Sequence, residues 1–468
     1  MESAKKRKFS PIWESFDLIT PNKVKCRLCS RELGYSGNTS AMLRHHRALH
    51  KDKASDNASS SETCDPTEAL ISMIVEDCLP FSIVDGSGFQ KFVKALNPSY
   101  VAPTRQALKE MLVKKYNDSK EKAKAAVMKA SSVSITSDMW TSINTDSFLA
   151  VTCHFVDENT TLQSVVLGVT HFPQAHTALN LANVKKNLLV QWGISDKVTC
   201  LVTDGAANMG ACAKEMGVRH AICVAHSLNL IVKKSLNANE ELSEIRDKSR
   251  KIVGHFKSST TAKERLSQVQ VQMGRPVLKL IQEVETRWNS TFLMFQRLFD
   301  EREPVGAALA GLKTDISPLC SQHFNIIADS LKILAPFNEA TIELSEEKRV
   351  SGSKVIPMLT MLHHALEDGE INVCTPEGMA LVGCLKKQLK EKLFILQSQS
   401  VLSLSTILDP RFKKLGFFSP HKASEAERRL TTECASAIRR ASTSTAASAA
   451  ASTSASSLPA EEANCGIA

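Results

Sequence analysis

The residues best suited to bind a metal are two cysteines and three histidines near the N-terminus. Cys26 and Cys29 are separated by two residues, and a short polar segment leads from them to His45, His46 and His50. Structural zinc takes four nitrogen or sulfur ligands, often a Cys-x2-Cys turn and two histidines on a helix. The spacing predicts a zinc site with both cysteines and His50. His45 and His46 both fit the remaining position, and helix geometry slightly favours His46.

A turn and a helix are needed to bring these ligands together. Residues 34–40, GYSGNTS, have turn chemistry, and Thr39 or Ser40 is a candidate N-cap for a helix that carries the histidines. A unit this short has few apolar residues, so a bound metal would supply stability that its core lacks. We therefore expect a small metal-dependent domain at residues 1–53.

The positive charge of the chain is concentrated on the same unit. The formal net charge is +9, and residues 1–53 contribute +7 of it, with 12 Lys and Arg against 5 Asp and Glu. Lys and Arg that displace counterions from phosphates supply much of the affinity for DNA, so double-stranded DNA is the expected partner. The KKRK run at residues 5–8 suits a nuclear localisation signal. The candidate DNA contacts are Arg31, Arg44, Arg47 and Lys51.

Length and composition indicate a globular protein with more than one domain. The 468 residues exceed the usual limit of a single core, and 43% of them are hydrophobic and 23% charged. There is no run of 18 apolar residues and no apolar N-terminal segment, so we expect an intracellular protein without a membrane partner. The 13 scattered cysteines are typical of reduced thiols. Nothing points to a small-molecule substrate.

A β-rich segment begins near residue 132. Three strand-like runs, SVSITSDMW, FLAVTCHFVD and LQSVVLGVTHF, are followed by the helix-like HTALNLANVKKNLLVQWG and the strand-like KVTCLVTDG. The next run, AICVAHSLNLIVKKSL, begins as a strand and ends as a helix. Three hairpin-linked strands before a crossover helix predict a mixed sheet covered by helices, as in ribonuclease-H-like domains.

Two acidic residues occupy the ends of strands that such a sheet makes neighbours. Asp138 lies in the first strand and Asp204 ends the fourth. Paired carboxylates at one sheet edge could hold divalent metal ions, such as Mg²⁺, for phosphoryl transfer. An Asp at a strand end is also a common turn or helix-cap residue. Before any family resemblance is considered, the sequence favours a metal site and a structural role about equally.

Several segments resemble known families. PIWESF, CRLC and NTSAMLRHHRALH resemble the BED-type zinc finger, which implies His45 as the third zinc ligand. SDMWTS, TDGAANM, RHAICVAHSLNLIV, TRWNSTF and ILDPRFKKL resemble successive landmarks of the hAT-superfamily DNA transposases and their domesticated animal descendants. The similarity runs in order from about residue 10 to residue 418.

The resemblance also implies roles for individual residues. Asp138 and Asp204 match the first two acids of the transposase catalytic triad. The C-x2-H element corresponds to Cys223 and His226, which we expect to be a structural pair. The RW pair near the DNA end corresponds to Arg287 and Trp288, which are candidate DNA contacts, and Trp288 fits a core position equally well. Nothing after Leu415 resembles the segment that carries the third acid. We therefore expect a transposase-like domain that is inactive and C-terminally truncated, and Mg²⁺ only if the acidic site works.

The predicted fold is multidomain α+β: a small ββα-type zinc finger, then a ribonuclease-H-like mixed sheet interrupted by a large all-helical insertion. The predicted function is zinc-dependent, sequence-specific DNA binding in the nucleus by a transcription or chromatin regulator, with self-association or chromatin proteins as further partners. The alternatives are an active transposase or nuclease, or a SUMO-ligase-like relative. The predicted segments are 1–53 (finger), 54–66 (linker), 67–131 (helical), 132–235 (ribonuclease-H-like), 236–418 (helical insertion) and 419–468 (disordered Ala/Ser/Thr-rich tail).

Overall fold

A computed structural model of the chain describes residues 12, 15–20, 23–35, 41, 42, 45, 46, 65–346, 349–367 and 372–454, with side chains up to residue 439. The chain divides into two compact units, residues 1–118 and 119–468. Within the described residues, no helix has both the length and the apolar character needed to cross a bilayer.

The N-terminal part of the first unit contains a small antiparallel sheet. Its strands are β1 (Phe16–Thr20), β2 (Lys23–Cys26) and β3 (Glu32–Gly34), in the order β1-β2-β3. The small core comprises Ile12, Phe16, Val24, Cys26 and Met42. The predicted ββα pattern therefore gains a third strand, because the chain after the cysteine turn runs back along β2.

The rest of the first unit is helical. It contains α1 (Pro66–Glu76), a 3₁₀ turn (Phe81–Asp85), α2 (Ser87–Leu96) and the start of α3 (Arg105–Lys129). Asp65 begins α1, since its carboxylate accepts a hydrogen bond from the Thr67 amide, and Pro66 occupies the first helical position. The apolar side chains that pack together here are Leu70, Ile71, Ile74, Val84 and Leu108.

The second unit is built on a five-stranded mixed sheet, as predicted. The strands are β4 (Val133–Thr141), β5 (Ser147–Val156), β6 (Leu162–His171), β7 (Val198–Thr203) and β8 (Arg219–Ile222). Their order is β6-β5-β4-β7-β8; the first three are antiparallel, and β7 and β8 run parallel to β4. Buried and less buried residues alternate along β4 and β5, which places their apolar side chains on one face.

Two helices pack against that apolar face. The predicted helix is α4 (Ala178–Trp192), and α5 (Ala207–Met216) follows β7. We did not predict α5, because AANMGACAKEM has no large apolar residue except its two methionines. Val127 and Ala130, at and just after the end of α3, belong to the same core. The packing therefore does not change at the predicted boundary between residues 131 and 132.

After β8 the described residues form helices joined by loops, without a further strand, as predicted. One large apolar core joins these helices. They are α6 (Val224–Asn237), α7 (Glu240–Ser258), α8 (Thr260–Gln272), α9 (Trp288–Asp300), α10 (Arg302–Ala310), α11 (Ser321–Leu344), α12 (Val355–Glu367), α13 (Pro376–Ser398) and α14 (Ser400–Leu408).

The predicted disordered tail is wrong over much of its length. A helix, α15 (Pro420–Ser454), occupies this segment. Its first turns are held by packing, because Ala423 and Ala426 are buried in the helical core. The sequence misled us since small residues carry little hydrophobic signal, although Ala has the highest helix propensity.

Candidate metal centre and nucleic-acid interface

The two cysteines of the first motif lie on a tight turn between β2 and β3. Cys26 is the last residue of β2, and its amide donates to the Arg31 carbonyl at 2.9 Å. The Ser30 amide donates back to the Cys26 carbonyl at 2.9 Å, and Ser30 has a positive φ of 59°. This turn puts the buried Cys26 and the exposed Cys29 on the same side as the helical residues that follow.

His45 completes a cluster of three metal-ligating side chains. Ligand atoms of Cys26, Cys29 and His45 all lie within 4.8 Å of one another, and the Cys29 Sγ–His45 Nε2 distance is 3.2 Å. With Zn–S bonds of about 2.3 Å and Zn–N bonds of about 2.0–2.1 Å, neighbouring tetrahedral ligands are separated by about 3.5 Å. The donor set and its spacing therefore fit zinc.

Burial and packing distinguish His45 from its neighbour. His45 is buried, and its ring meets the edge of Phe16 with centroids 5.7 Å apart. His46 is half-buried and does not belong to the cluster. His50, the fourth predicted ligand, lies outside the described residues. The structure thus brings together three of the four predicted ligands.

The exposed basic side chains near the cysteine turn differ in their partners. Arg27 makes two hydrogen bonds to Asp17, at 2.6 and 3.1 Å, and this contact raises the pKa of its guanidinium. Lys23 pairs with Glu32 at 3.3 Å.

Two other cations on this small sheet remain available. The predicted contact Arg31 is exposed, and Lys25 is exposed as well; within the described part of the chain neither forms an ion pair. Sequence reasoning missed Lys25, although its alternation with the buried Val24 and Cys26 was a signal. The predicted contacts Arg44, Arg47 and Lys51 lie outside the described residues.

The register of β4 and β7 places the two predicted acids of the second unit at equivalent positions on adjacent strands. β4 and β7 are adjacent and parallel, with Thr136 opposite Val202. Asp138 and Asp204 each follow two residues later, on strands about 4.8 Å apart. Neither acid belongs to the two clusters of three metal-ligating side chains found among the described residues. The sheet therefore aligns the pair without a third donor beside it.

Asp204 has a clear local role. Its carboxylate accepts a hydrogen bond from the Ala206 amide at 3.1 Å, which forms a turn immediately before α5. Gly205 has a φ of +88°, and a Cβ there would lie 2.8 Å from Ile222. Near this turn His220 bonds Thr203; burial lowers the pKa of His220, and the charge of Asp204 partly opposes that shift.

The C-x2-H residues lie at the start of α6. The Cys223 amide donates to the Thr203 carbonyl at 2.7 Å, and the Cys223 carbonyl accepts from the Ser227 hydroxyl at 3.0 Å. Cys223 and His226 are both half-buried. In the described residues, no cluster of three metal-ligating groups includes either of them.

The predicted RW pair separates into one exposed and one buried residue. Arg287 is exposed, whereas Trp288 is 1% exposed. The Trp288 amide donates to Asn229 at 2.9 Å, and its ring meets the edge of Phe292. The prediction that Trp288 contacts DNA is therefore wrong for this conformation, since its ring belongs to the helical core.

Comparison with known families gives four matches along the chain. The BED zinc finger matches residues 10–51, and the Hermes transposase DNA-binding domain matches residues 59–99. The ZBED1 RNase-like domain matches residues 136–230, and the ZBED1 RNase-like helical domain matches residues 221–324. These matches follow the order of the finger, the first helices, the mixed sheet and the helical region.

Individual relatives are similar over most of this chain. Zinc finger BED domain-containing protein 4 of Homo sapiens is 25% identical over 91% of the chain. Zinc finger BED domain-containing protein 6 of Mus musculus is 26% identical over 74% of the chain. Transposable element Hobo transposase of Drosophila melanogaster is 27% identical over 79%. The chain spans 41%, 37% and 56% of the lengths of these relatives, respectively.

These domains define a class of proteins in which a DNA-binding finger precedes a ribonuclease-H-like core of transposase origin. The chain contains domains that match the BED zinc finger, the Hermes transposase DNA-binding domain and the ZBED1 RNase-like domain, and it is similar to zinc finger BED domain-containing proteins and to transposases.

Proposed function

We propose that this protein is a zinc-dependent, sequence-specific DNA-binding protein of the nucleus that regulates transcription or chromatin. The observation that carries the proposal is the convergence of Cys26, Cys29 and His45 beside exposed basic side chains. A match to the BED zinc finger covers the same residues. Double-stranded DNA is the partner that a cationic finger of this kind would bind.

Two parts of the finger position the ligands. Backbone hydrogen bonds of Cys26 shape the turn that carries the Cys26 and Cys29 thiols, and the Phe16 ring packs against the His45 imidazole. Zinc, when bound, would join the strand turn to the helical residues and stabilise a unit whose described apolar core is small and includes the ligand Cys26. His50 is the proposed fourth ligand.

Lys25 and Arg31 are the proposed phosphate contacts among the described residues. Both are exposed, and neither forms an ion pair within the described residues, although Asp17 and Glu32 lie opposite Lys25 on the neighbouring strands. Arg27 is a weaker candidate because Asp17 compensates its charge at 2.6 Å. The KKRK run at residues 5–8 supports a nuclear location.

The test is DNA binding by the full chain after selection of a preferred duplex. We expect a zinc chelator or Cys26→Ser to abolish the shifted band, and added Zn²⁺ to restore it only in the wild-type chain. Cys434→Ser, which removes an exposed thiol of the second unit, is the matched control and should bind normally. Unchanged binding after both chelation and Cys26→Ser would refute the proposal.

We further propose that the transposase-like unit does not cut DNA. Three glutamates in the first half of α15 are candidates for a third acid, and each is ion-paired. Glu425 pairs with Lys422 and Arg429, and Glu427 with Lys414. The third, Glu433, pairs with Arg219 at 2.7 Å. None of them is available as a free carboxylate beside the first two acids.

Glu433 also forms its ion pair near the start of β8, away from the strand end where Asp204 lies. Its partner Arg219 lies opposite Cys200 at the beginning of β8. Asp204 is four residues further along the neighbouring strand, which corresponds to about 13 Å. This separation supports a role for Glu433 in fixing α15 to β8.

DNA cleavage by Asp138 and Asp204 is the second candidate, because their strands are adjacent and in register. It predicts nicking of supercoiled DNA with Mg²⁺ or Mn²⁺ that Asp204→Asn removes. Asn can accept the same hydrogen bond from Ala206, so that variant should fold. Nicking by the wild-type chain that Asp204→Asn abolishes would overturn the non-catalytic proposal.

A further inference from the structure

A second cluster of metal-ligating side chains lies near the C-terminal end of α12. His363, His364 and Glu367 place their ligand atoms within 4.8 Å of one another. The His363 side chain is 3% exposed, whereas those of His364 and Glu367 are 54% and 42% exposed. The cluster therefore has a buried side and an open side, through which an ion could enter.

One carboxylate oxygen faces both imidazoles. Glu367 Oε2 is 3.5 Å from His363 Nδ1 and 3.8 Å from His364 Nδ1. Ligands of a tetrahedral ion with bonds of about 2.0–2.1 Å are separated by about 3.3 Å. These two distances are close to that separation, and they involve three different side chains of one helix turn.

The buried imidazole has an unsatisfied nitrogen that points into the cluster. His363 Nδ1 makes no hydrogen bond with any described residue. The ring is held by Phe418, whose centroid is 4.8 Å away in an edge-to-face contact. Burying a polar nitrogen without a partner is unfavourable, so its retention at this position points to a missing ligand.

Lysines beside the cluster set a limit on its affinity. Lys386 Nζ lies 3.8 Å from Glu367 Oε1, the oxygen that does not face the histidines. Lys390 is also close enough to act on His363 electrostatically. Both lysines belong to α13, and their charges repel a cation. Oε2 remains oriented toward the two nitrogens, so we expect weaker binding here than in a cysteine-containing finger.

We propose that His363, His364 and Glu367 form a second metal site, which binds a divalent transition-metal ion such as Zn²⁺ through two imidazole nitrogens and one carboxylate oxygen. Imidazole and carboxylate ligands suit zinc and neighbouring transition metals. Three protein ligands leave a coordination position for water. This proposal is independent of the finger, because the two donor sets share no residue.

The first experiment counts zinc ions per full-length chain after dialysis against a micromolar Zn²⁺ buffer. We expect two ions in the wild-type chain, one after His364→Ala, one after Cys26→Ser with Cys29→Ser, and none when these changes are combined. His171→Ala is the matched control, since its imidazole is 53% exposed and also lies near a single carboxylate. It should retain two ions.

The second experiment replaces zinc with Co²⁺, whose absorption reports its ligands. In the chain that lacks both finger cysteines, we expect tetrahedral ligand-field bands without thiolate-to-metal charge transfer, and His364→Ala should remove them. His364 is largely exposed, so the variant should keep its circular dichroism and its elution volume.

The outcomes separate the two proposals. One zinc ion in both the wild-type chain and His364→Ala overturns the second site and leaves the finger intact. Two ions in His364→Ala overturn it as well. An unchanged ion count after loss of both cysteines would instead contradict the zinc finger.

Discussion

The finger and the acidic edge of the large sheet differ in the number of metal ligands that they bring together and in the size of the apolar core beside those ligands. The finger has three convergent donors, and among its described residues four further buried apolar side chains pack beside them. The five-stranded sheet has a core of nineteen buried apolar residues, but it aligns only two carboxylates. In these two regions, therefore, the number of metal ligands does not follow the size of the apolar core.

Metal removal should give the largest difference between the two regions. Because structural zinc supplies about 10–16 kcal/mol in small fingers, chelation should unfold the finger and leave the sheet unit folded. Hydrogen exchange followed by mass spectrometry would detect this as lost protection in residues 16–35 only. Equal loss of protection in β4 and β5 would contradict the separation.

A cavity in the sheet core should give the opposite pattern. Leu149 on β5 is 1% exposed and packs in the core of the second unit. Leu149→Ala should lower the free energy of unfolding of that unit by about 2–5 kcal/mol, without change in the zinc content of the finger. Urea unfolding measures the first quantity and elemental analysis the second. Val166→Ala, at a position that is 59% exposed on the edge strand β6, should change stability by less than about 0.5 kcal/mol.

A buried lysine in the same core should make its stability depend on pH. Lys185 is fully buried, with Nζ 3.6 Å from Cys212 Sγ and 3.7 Å from Met209 Sδ, and burial lowers its pKa. Between this lowered pKa and the usual lysine value, the unfolded chain binds more protons than the folded chain. The free energy of unfolding attributable to Lys185 should therefore rise with pH across that window.

Lys185→Met removes this titration and should flatten the pH dependence of the free energy of unfolding below the usual lysine pKa. Urea unfolding at a series of pH values up to that pKa is the measurement. Lys186→Met, on the same helix but with an exposed amine that bonds the Glu215 carbonyl, is the control and should keep the wild-type slope. A parallel slope in Lys185→Met would show that another group titrates.

The smallest effect should come from a single surface cation of the finger. Arg31→Gln should weaken DNA binding a few-fold and reduce the dependence of log Kd on log salt by about 1, because one phosphate contact is lost. Fluorescence anisotropy at several salt concentrations checks both values. Arg439→Gln, an exposed cation on α15, should leave the slope unchanged.

The sequence predicted those parts of the molecule whose signal is local. Alternation in β4 and β5 reveals their two faces, and the Cys-x2-Cys spacing defines a turn that brings two thiols together. Helix α5 was missed and the segment of α15 was assigned to a disordered tail, because small residues such as Ala423 and Ala426 acquire their burial from distant partners. Trp288 fitted both a DNA contact and a core position in the sequence, and only the packing of α9 against other helices shows that it is buried.

His363 and Glu367 show the same limit in a site. Their spacing of four residues puts them on one side of a helix, which sequence alone could have indicated. The burial of His363 and the direction of its nitrogen depend on Phe418, which lies 55 residues away along the chain. A local pattern can therefore indicate a pair of ligands, but whether a nitrogen of one of them lacks a hydrogen-bond partner depends on tertiary packing.

The turn at Asp204 and Gly205 has a consequence for how mutational histories of this protein should be read. The carboxylate fixes the corner that launches α5, and the glycine fits where Ile222 leaves no space for a side chain. Selection on folding alone would therefore preserve an Asp or an Asn at this corner after any DNA-cleaving chemistry had vanished. An Asp at position 204 is by itself no sign of enzymatic activity, which depends on whether the other metal ligands are present.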